Sequence, residues 1–133
     1  MLTWKLRITI LWIFVAICQT AATTLLLFEP GVIHDMMAGK VLGADIHSAG
    51  VQIDAALFWL APMALAYLTL VLKDTANRRT NTVAGAVTAV TGISLLIGQP
   101  DGTSAGENFV LIVVSLVALL IVWHARKWPR PAE

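Results

Sequence analysis

Of 133 residues, 58% are hydrophobic and 13% charged, and the mean hydropathy is +0.80, whereas a soluble domain carries about 25% charged residues. A soluble globular fold is therefore excluded, and the length suits one domain. The net charge of +1, with no basic run interleaved with aromatics, excludes nucleic acid as a partner. The lone Cys18 excludes an intrachain disulfide, a CxxC redox pair and a thiolate zinc site.

A helix crossing a hydrocarbon layer about 30 Å thick needs about 20 apolar residues. The first stretch to meet this, residues 8–28, holds no charge. Near its middle lies Gln19, followed by Thr20, Thr23 and Thr24. Gln19 and Thr23 share a helix face, and polar groups at that depth serve either to hydrogen-bond a neighbouring helix or to hold a ligand. Met1 to Arg7 before an apolar run also has the form of a secretion signal, and Val15-Ala16-Ile17-Cys18 the form of a lipoprotein box. Ile17 is too large for such a box, and the apolar run continues ten residues past Cys18, so the segment is retained as a helix.

A connection of 22 residues follows, Glu29 to Gly50, long enough to carry structure of its own. Val32, Ile33, Met36, Met37 and Val41 fall at helical spacing, which predicts a short interfacial helix. His34, Asp35, Asp45 and His47, with Asp54 nearby, are the one cluster of metal-binding or proton-relaying types. Their spacing fits no metal motif, so a solvated loop is expected and no metal is assigned.

The second span, residues 51–72, carries Gln52 and Asp54 near its start. Asp54 is expected about one turn below the surface, charged and favoured by the helix dipole; the alternative is a proton or cation site. Pro62 in mid-span frees the carbonyl of Phe58 and predicts a kink, which beside Trp59 and Tyr67 is either an ordinary feature of a membrane helix or the lining of a ligand cavity. The third span, residues 80–98, repeats small residues: Ala84, Thr88 and Gly92 on one stripe, Gly85 and Ala89 beside it. Such a face admits a second backbone at close range, from the same bundle or from another protomer. The fourth span covers residues 108–124.

Lys and Arg concentrate on the cytoplasmic side of membrane proteins. Eight of the nine basic residues (Lys5, Arg7, Lys73, Arg78, Arg79, Arg126, Lys127 and Arg130) fall on one side and only Lys40 on the other. Both termini are thus expected in the cytoplasm, with residues 29–50 and 99–107 outside. Trp4, Trp123 and Trp128 are expected at the inner headgroup boundary.

Three small four-helix classes are unlike this chain. Quinone-linked disulfide enzymes need paired cysteines, small multidrug exporters need a glutamate in the first helix, and haem anchors need histidines at matched depth. A resemblance instead runs through Leu11-Trp12-Ile13-Phe14-Val15, Pro30-Gly31, Ala38-Gly39, Arg78 with Asn81, Ala84 and Gly85, Gly98 and Pro100, and Trp123, Ala125, Lys127 and Trp128. These residues resemble a bacterial family of four-helix membrane proteins without an established role, similar in layout to the DoxX-like proteins. The resemblance implies the fold and a bacterial inner membrane, but no reaction. It departs at Gln19 to Thr24, where that family carries aromatic and acidic residues.

The expectation is an all-α, four-span bundle in the lipid bilayer with a structured outer loop. Its expected role is a non-catalytic module packing against itself or a larger membrane complex. The alternative is a binder or carrier of a small hydrophobic molecule or a proton, with Gln19, Thr23, Asp54, Trp59, Pro62 and Tyr67 as candidate contacts. No cofactor is specified by the sequence, and a membrane oxidoreductase would require one.

Overall fold

A computed structural model describes residues 2–98 and 104–129. Among these, helix α1 is Leu2–Leu26, α2 is Val32–Met37, α3 is Ala49–Val71, α4 is Asp74–Gly98 and α5 is Ala105–Lys127. A two-residue hairpin, β1 (Lys40–Val41) and β2 (Ala44–Asp45), lies between α2 and α3. The four long helices are each long and apolar enough to cross a membrane. Their order in space is α3, α1, α5, α4, with α1 packed on both α3 and α5, and α4 packed chiefly on α5. Between α3 and α4 contact is slight.

The helices extend beyond the apolar spans because charged residues continue them into the polar boundary. Helix α4 begins at Asp74, six residues before its apolar span, so only Leu72 and Lys73 separate it from α3. Asp74 places a negative charge on the first turn, where the helix dipole favours it. Lys5 of α1 then ties the corner down. Its ammonium donates to the Leu72 carbonyl at 2.8 Å and lies 3.9 Å from the Asp74 carboxylate. At the opposite end Glu29 accepts from the Ser104 amide, and the Ser104 hydroxyl caps α5 by accepting from the Glu107 amide at 3.1 Å. An ion pair thus ties the helix ends at one rim of the bundle, and a carboxylate accepting from a backbone amide ties them at the other.

Between Lys5 and the midplane lies a chain of buried polar side chains. Trp12, Thr69, Asn77 and Asn81 are each at most 1% exposed. The Trp12 indole donates to Asn81 Oδ1 at 2.6 Å, linking α1 to α4. Asn81 donates to the Asn77 side chain at 2.5 Å, and Asn77 donates to the Thr69 carbonyl at 2.6 Å. That carbonyl sits in the last turn of α3, where no following amide can reach it, so Asn77 supplies the missing donor. Trp128 is only 2% exposed and joins the apolar core with Ile8, Val15, Ile121 and Ala125. Its indole is thus packed into the bundle just past the end of α5 rather than turned outward. Trp123, 48% exposed, does face outward.

The buried line of α4 runs Asn77, Asn81, Gly85, Ala89, Gly92. Ala84 and Thr88 lie at its edge, half-buried. This line meets α5 of the same chain. A Cβ at Gly85 would sit 3.1 Å from the Ala118 carbonyl oxygen and 2.9 Å from a Val122 methyl. At Gly92 it would collide with Ser115 Oγ, which donates to the Leu111 carbonyl at 2.8 Å. The close approach therefore builds the α4–α5 interface.

The connection after α1 differs from the single helix expected through Val41. Gly39 has φ +80°, which stops α2, and Leu42 and Gly43 both have positive φ, at 49° and 80°. Two successive left-handed residues form the tight turn that matches strand twist, so Val41 enters a hairpin rather than a helix. Helix α3, by contrast, runs as one helix through Pro62.

Replacement Gly92→Ala should destabilise the fold by about 1–2 kcal/mol, since Ser115 must abandon its hydrogen bond to make room. Adding Ser115→Ala should recover most of that, because the nearest remaining side-chain atom, the Ser115 Cβ, would stand 3.6 Å away. Thermal unfolding in detergent measures both; an additive double variant would show that the two residues do not meet.

Candidate functional site

Because α3 and α4 are held together at the Asn77 end and scarcely touch elsewhere, the bundle is open along one side. A cavity of about 210 Å³ occupies this gap. Helix α3 contributes Phe58, Ala61, Pro62 and Leu65, while α4 contributes Val87, Thr88, Thr91, Gly92 and Leu95. Trp12, Gln19 and Ala22 of α1 and Val110, Leu111 and Val114 of α5 form the floor. The walls are almost wholly apolar. A dry apolar cavity of about 150 Å³ suffices for a benzene-sized molecule, so this one admits a ring with a short substituent or a segment of isoprenoid or acyl chain.

Gln19, Thr88 and Thr91 interrupt the apolar lining with polar side chains. Gln19 Oε1 is buried without a hydrogen-bond partner among the described residues. The threonines nearby do not help: Thr23 bonds back to the Gln19 carbonyl at 3.0 Å and Thr20 to the Ala16 carbonyl at 3.1 Å. Phe58 and Pro62, four residues apart on α3, both line the cavity, and a proline at position 62 has no N–H to offer the Phe58 carbonyl. Trp12 is the link to the buried network, since its ring borders the cavity while its N–H is held by Asn81.

Of the six candidate contacts, the structure brings Gln19 and Pro62 together at the cavity. Thr23 is half-buried and bonded within α1. Asp54, Trp59 and Tyr67 are exposed on α3 and do not line the cavity, Tyr67 being 66% exposed. Pro62 is buried and lines the cavity with Phe58 four residues before it, although Phe58 itself remains 45% exposed. The cluster in the connection also separates. His34 and Asp35 pair at 3.7 Å, both exposed, while Asp45 accepts from the His47 amide at 2.8 Å in a local turn. Among the described residues no three His, Cys, Asp or Glu side chains gather closely enough to hold a metal ion.

Sequence reasoning missed Thr69, Asn77 and Asn81, which fix the α3–α4 corner and hence the cavity. The available signal was the spacing: Asn77 and Asn81 continue the Gly85 and Ala89 line backward at four-residue steps. Comparison with family models, with curated proteins and with solved structures finds no match to the chain.

The unpartnered side-chain oxygen of Gln19 is a stability cost that an apolar side chain of similar size removes. Gln19→Leu should therefore raise stability by about 1 kcal/mol, visible as a higher midpoint in thermal unfolding of the detergent-solubilised protein. A lower midpoint would mean that Gln19 supports the fold and is not a spare polar group.

Proposed function

We propose that this chain is a non-catalytic, multi-pass protein of the bacterial inner membrane that binds a small, mostly apolar molecule bearing a hydroxyl or N–H donor. The observation that carries this reading is the side-chain oxygen of Gln19, buried without a partner among the described residues, on a residue that lines an apolar cavity between α3 and α4. An apolar ligand gains from leaving lipid only what better packing supplies. A donor on it meets an acceptor that otherwise stays unsatisfied, and that sets its orientation. The cavity opens sideways, so such a molecule enters from the bilayer and need not cross water.

The reading of the chain as a module within a larger assembly has one supporting observation of its own. Helix α3 leaves Trp59, Met63 and Tyr67 exposed on the face away from α1, as large a set of outward aromatic and sulfur side chains as any helix here offers. The small-residue line of α4 is not available for this role, because α5 already covers it.

Native mass spectrometry of protein released from gentle detergent tests the proposal. A bound organic molecule of a few hundred daltons, retained by the native chain and lost from Gln19→Leu, is the expected result. An adduct-free monomer with a phospholipid-only extract would overturn it, and a co-purifying polypeptide would favour the assembly reading.

The proposed orientation, termini in the cytoplasm, rests on seven described basic residues that share the end of the bundle formed by the start of α1, the α3–α4 corner and the end of α5. In a Cys18→Ala background, a cysteine at Leu42, which is 81% exposed at the hairpin tip, should react with an impermeant thiol reagent on intact cells. One at the exposed Lys73 should react only after the membrane is opened. The reverse pattern would invert the topology.

A further inference from the structure

The basic end of the bundle holds a second concavity that the proposed function does not use. It is a cleft of about 450 Å³ between the start of α4 and the end of α5, bordered by Thr75, Arg78, Arg79, Thr82, Val83 and Arg126. Three guanidinium groups gathered around one cleft repel one another. Among the described residues the one carboxylate at this end, Asp74, is paired with Lys5. Arg78 is half-buried, and its Nε is removed from solvent with no partner among the described residues. A guanidinium N–H without an acceptor is costly to keep there. The arrangement is complete only with an anion that offers several oxygens.

The surroundings say what else that anion carries. Val83, 64% exposed, borders the cleft on the side toward the midplane. On α5, Leu119 lies two turns before Arg126 and so on the same face. With Leu116, Leu120 and Trp123 it lines an outward apolar groove. A polar, cationic pocket at the membrane boundary thus stands at the head of an apolar track running into the bilayer. We infer that the Arg78, Arg79 and Arg126 cleft is a binding site for the phosphate headgroup of an anionic phospholipid, with its acyl chain laid along α4 and α5. Arginine forks take phosphate oxygens in pairs, and basic pockets between helices at this depth are suited to anionic headgroups. The inference depends on the helices spanning a membrane and is independent of the cavity between α3 and α4.

Thermal unfolding of the full chain in mild detergent, titrated separately with phosphatidylglycerol, phosphatidylcholine and inorganic phosphate, tests the site. Phosphatidylglycerol should raise the midpoint, and the other two should not. Arg79→Gln with Arg126→Gln, both exposed positions, should leave the lipid-free midpoint unchanged and weaken the lipid response about 30-fold. The control is Arg7→Gln with Lys127→Gln, which removes the same charge from the same end. Those two cations sit over Trp4 and Trp123, outside the cleft, so the control should retain most of the response. An equal loss in the control would reduce the effect to diffuse surface charge and overturn the site. Equal stabilisation by inorganic phosphate would overturn the lipid assignment, and no preference over phosphatidylcholine would overturn both.

Discussion

The hydrogen bond from the Trp12 indole to Asn81 Oδ1 is the contact on which the arrangement of all four long helices depends. In lipid, apolar side chains gain little by leaving one another's company, so helices are held by close packing and by polar groups that must find partners. Asn81 answers both needs at once. Its oxygen holds α1 through Trp12, its nitrogen holds Asn77, and Asn77 in turn holds the end of α3. Four residues further on, Gly85 presses α4 onto α5. One stretch of two turns in α4 therefore reaches all three of the other long helices. Measured bonds of this kind in membranes average below about 1 kcal/mol. Their weight here lies in specificity, since an Asn side chain left without partners in this position would cost more than the bonds themselves provide.

The network's position explains why a cavity exists at all. Among the described residues, polar contacts between α3 and α4 gather at the corner formed by Thr69, Leu72, Asp74, Asn77 and Asn81, with Lys5 clamped over it. Beyond Leu65 on α3 and Val87 on α4 no further polar pair draws the two helices together, and both instead present apolar side chains to the gap. At the far rim, Glu29 and Ser104 tie α1 to α5, which leaves α3 without a partner there. The fold is thus closed on three sides and joined on the fourth only at one end. That asymmetry is a property of where the polar residues sit in the sequence.

Much of this architecture was legible before the structure. Uncharged runs located the four long helices, because nothing but continuous apolar composition lets a helix face lipid. Their ends were less legible: residues 74–79 look polar enough for a loop, yet Asp74 complements the helix dipole and Asn77 is drawn inward by the open carbonyl of Thr69. The composition of a segment does not reveal that a neighbouring helix end needs a donor. Gln19 and Pro62 could be singled out, since a mid-span amide and a mid-span proline are each conspicuous in an apolar run. Asp54, Trp59 and Tyr67 could not be separated from them, because rotation of α3 about its axis is decided by which face meets α1. Nor could the partner of the small-residue line be chosen from spacing alone, as α5 and a second protomer would leave the same pattern. The hairpin at residues 40–45 was hidden by apolar spacing that continues the helix period past Gly39, where positive φ ends it.

What distinguishes structural from functional polar groups in this protein is whether they are satisfied from within. Thr9 donates to the Ala66 carbonyl, Thr69 to the Leu65 carbonyl, Thr88 to the Ala84 carbonyl and Ser115 to the Leu111 carbonyl, and the two buried asparagines complete each other. Each of these groups has at least one partner within the chain. Glu107, Asn108 and Trp128 carry buried atoms without partners too, but they adjoin the segments at 99–103 and 130–133 that lie outside the described residues. Gln19 adjoins neither. It stands well inside α1, opposite the one helix pair that fails to close, on a helix whose other polar side chains nearby turn back onto their own backbone. A chain selected for stability alone would fill that position with leucine, which packs the gap and removes an unsatisfied carbonyl. Glutamine there makes physical sense when the gap is filled from outside by something that can donate a hydrogen bond.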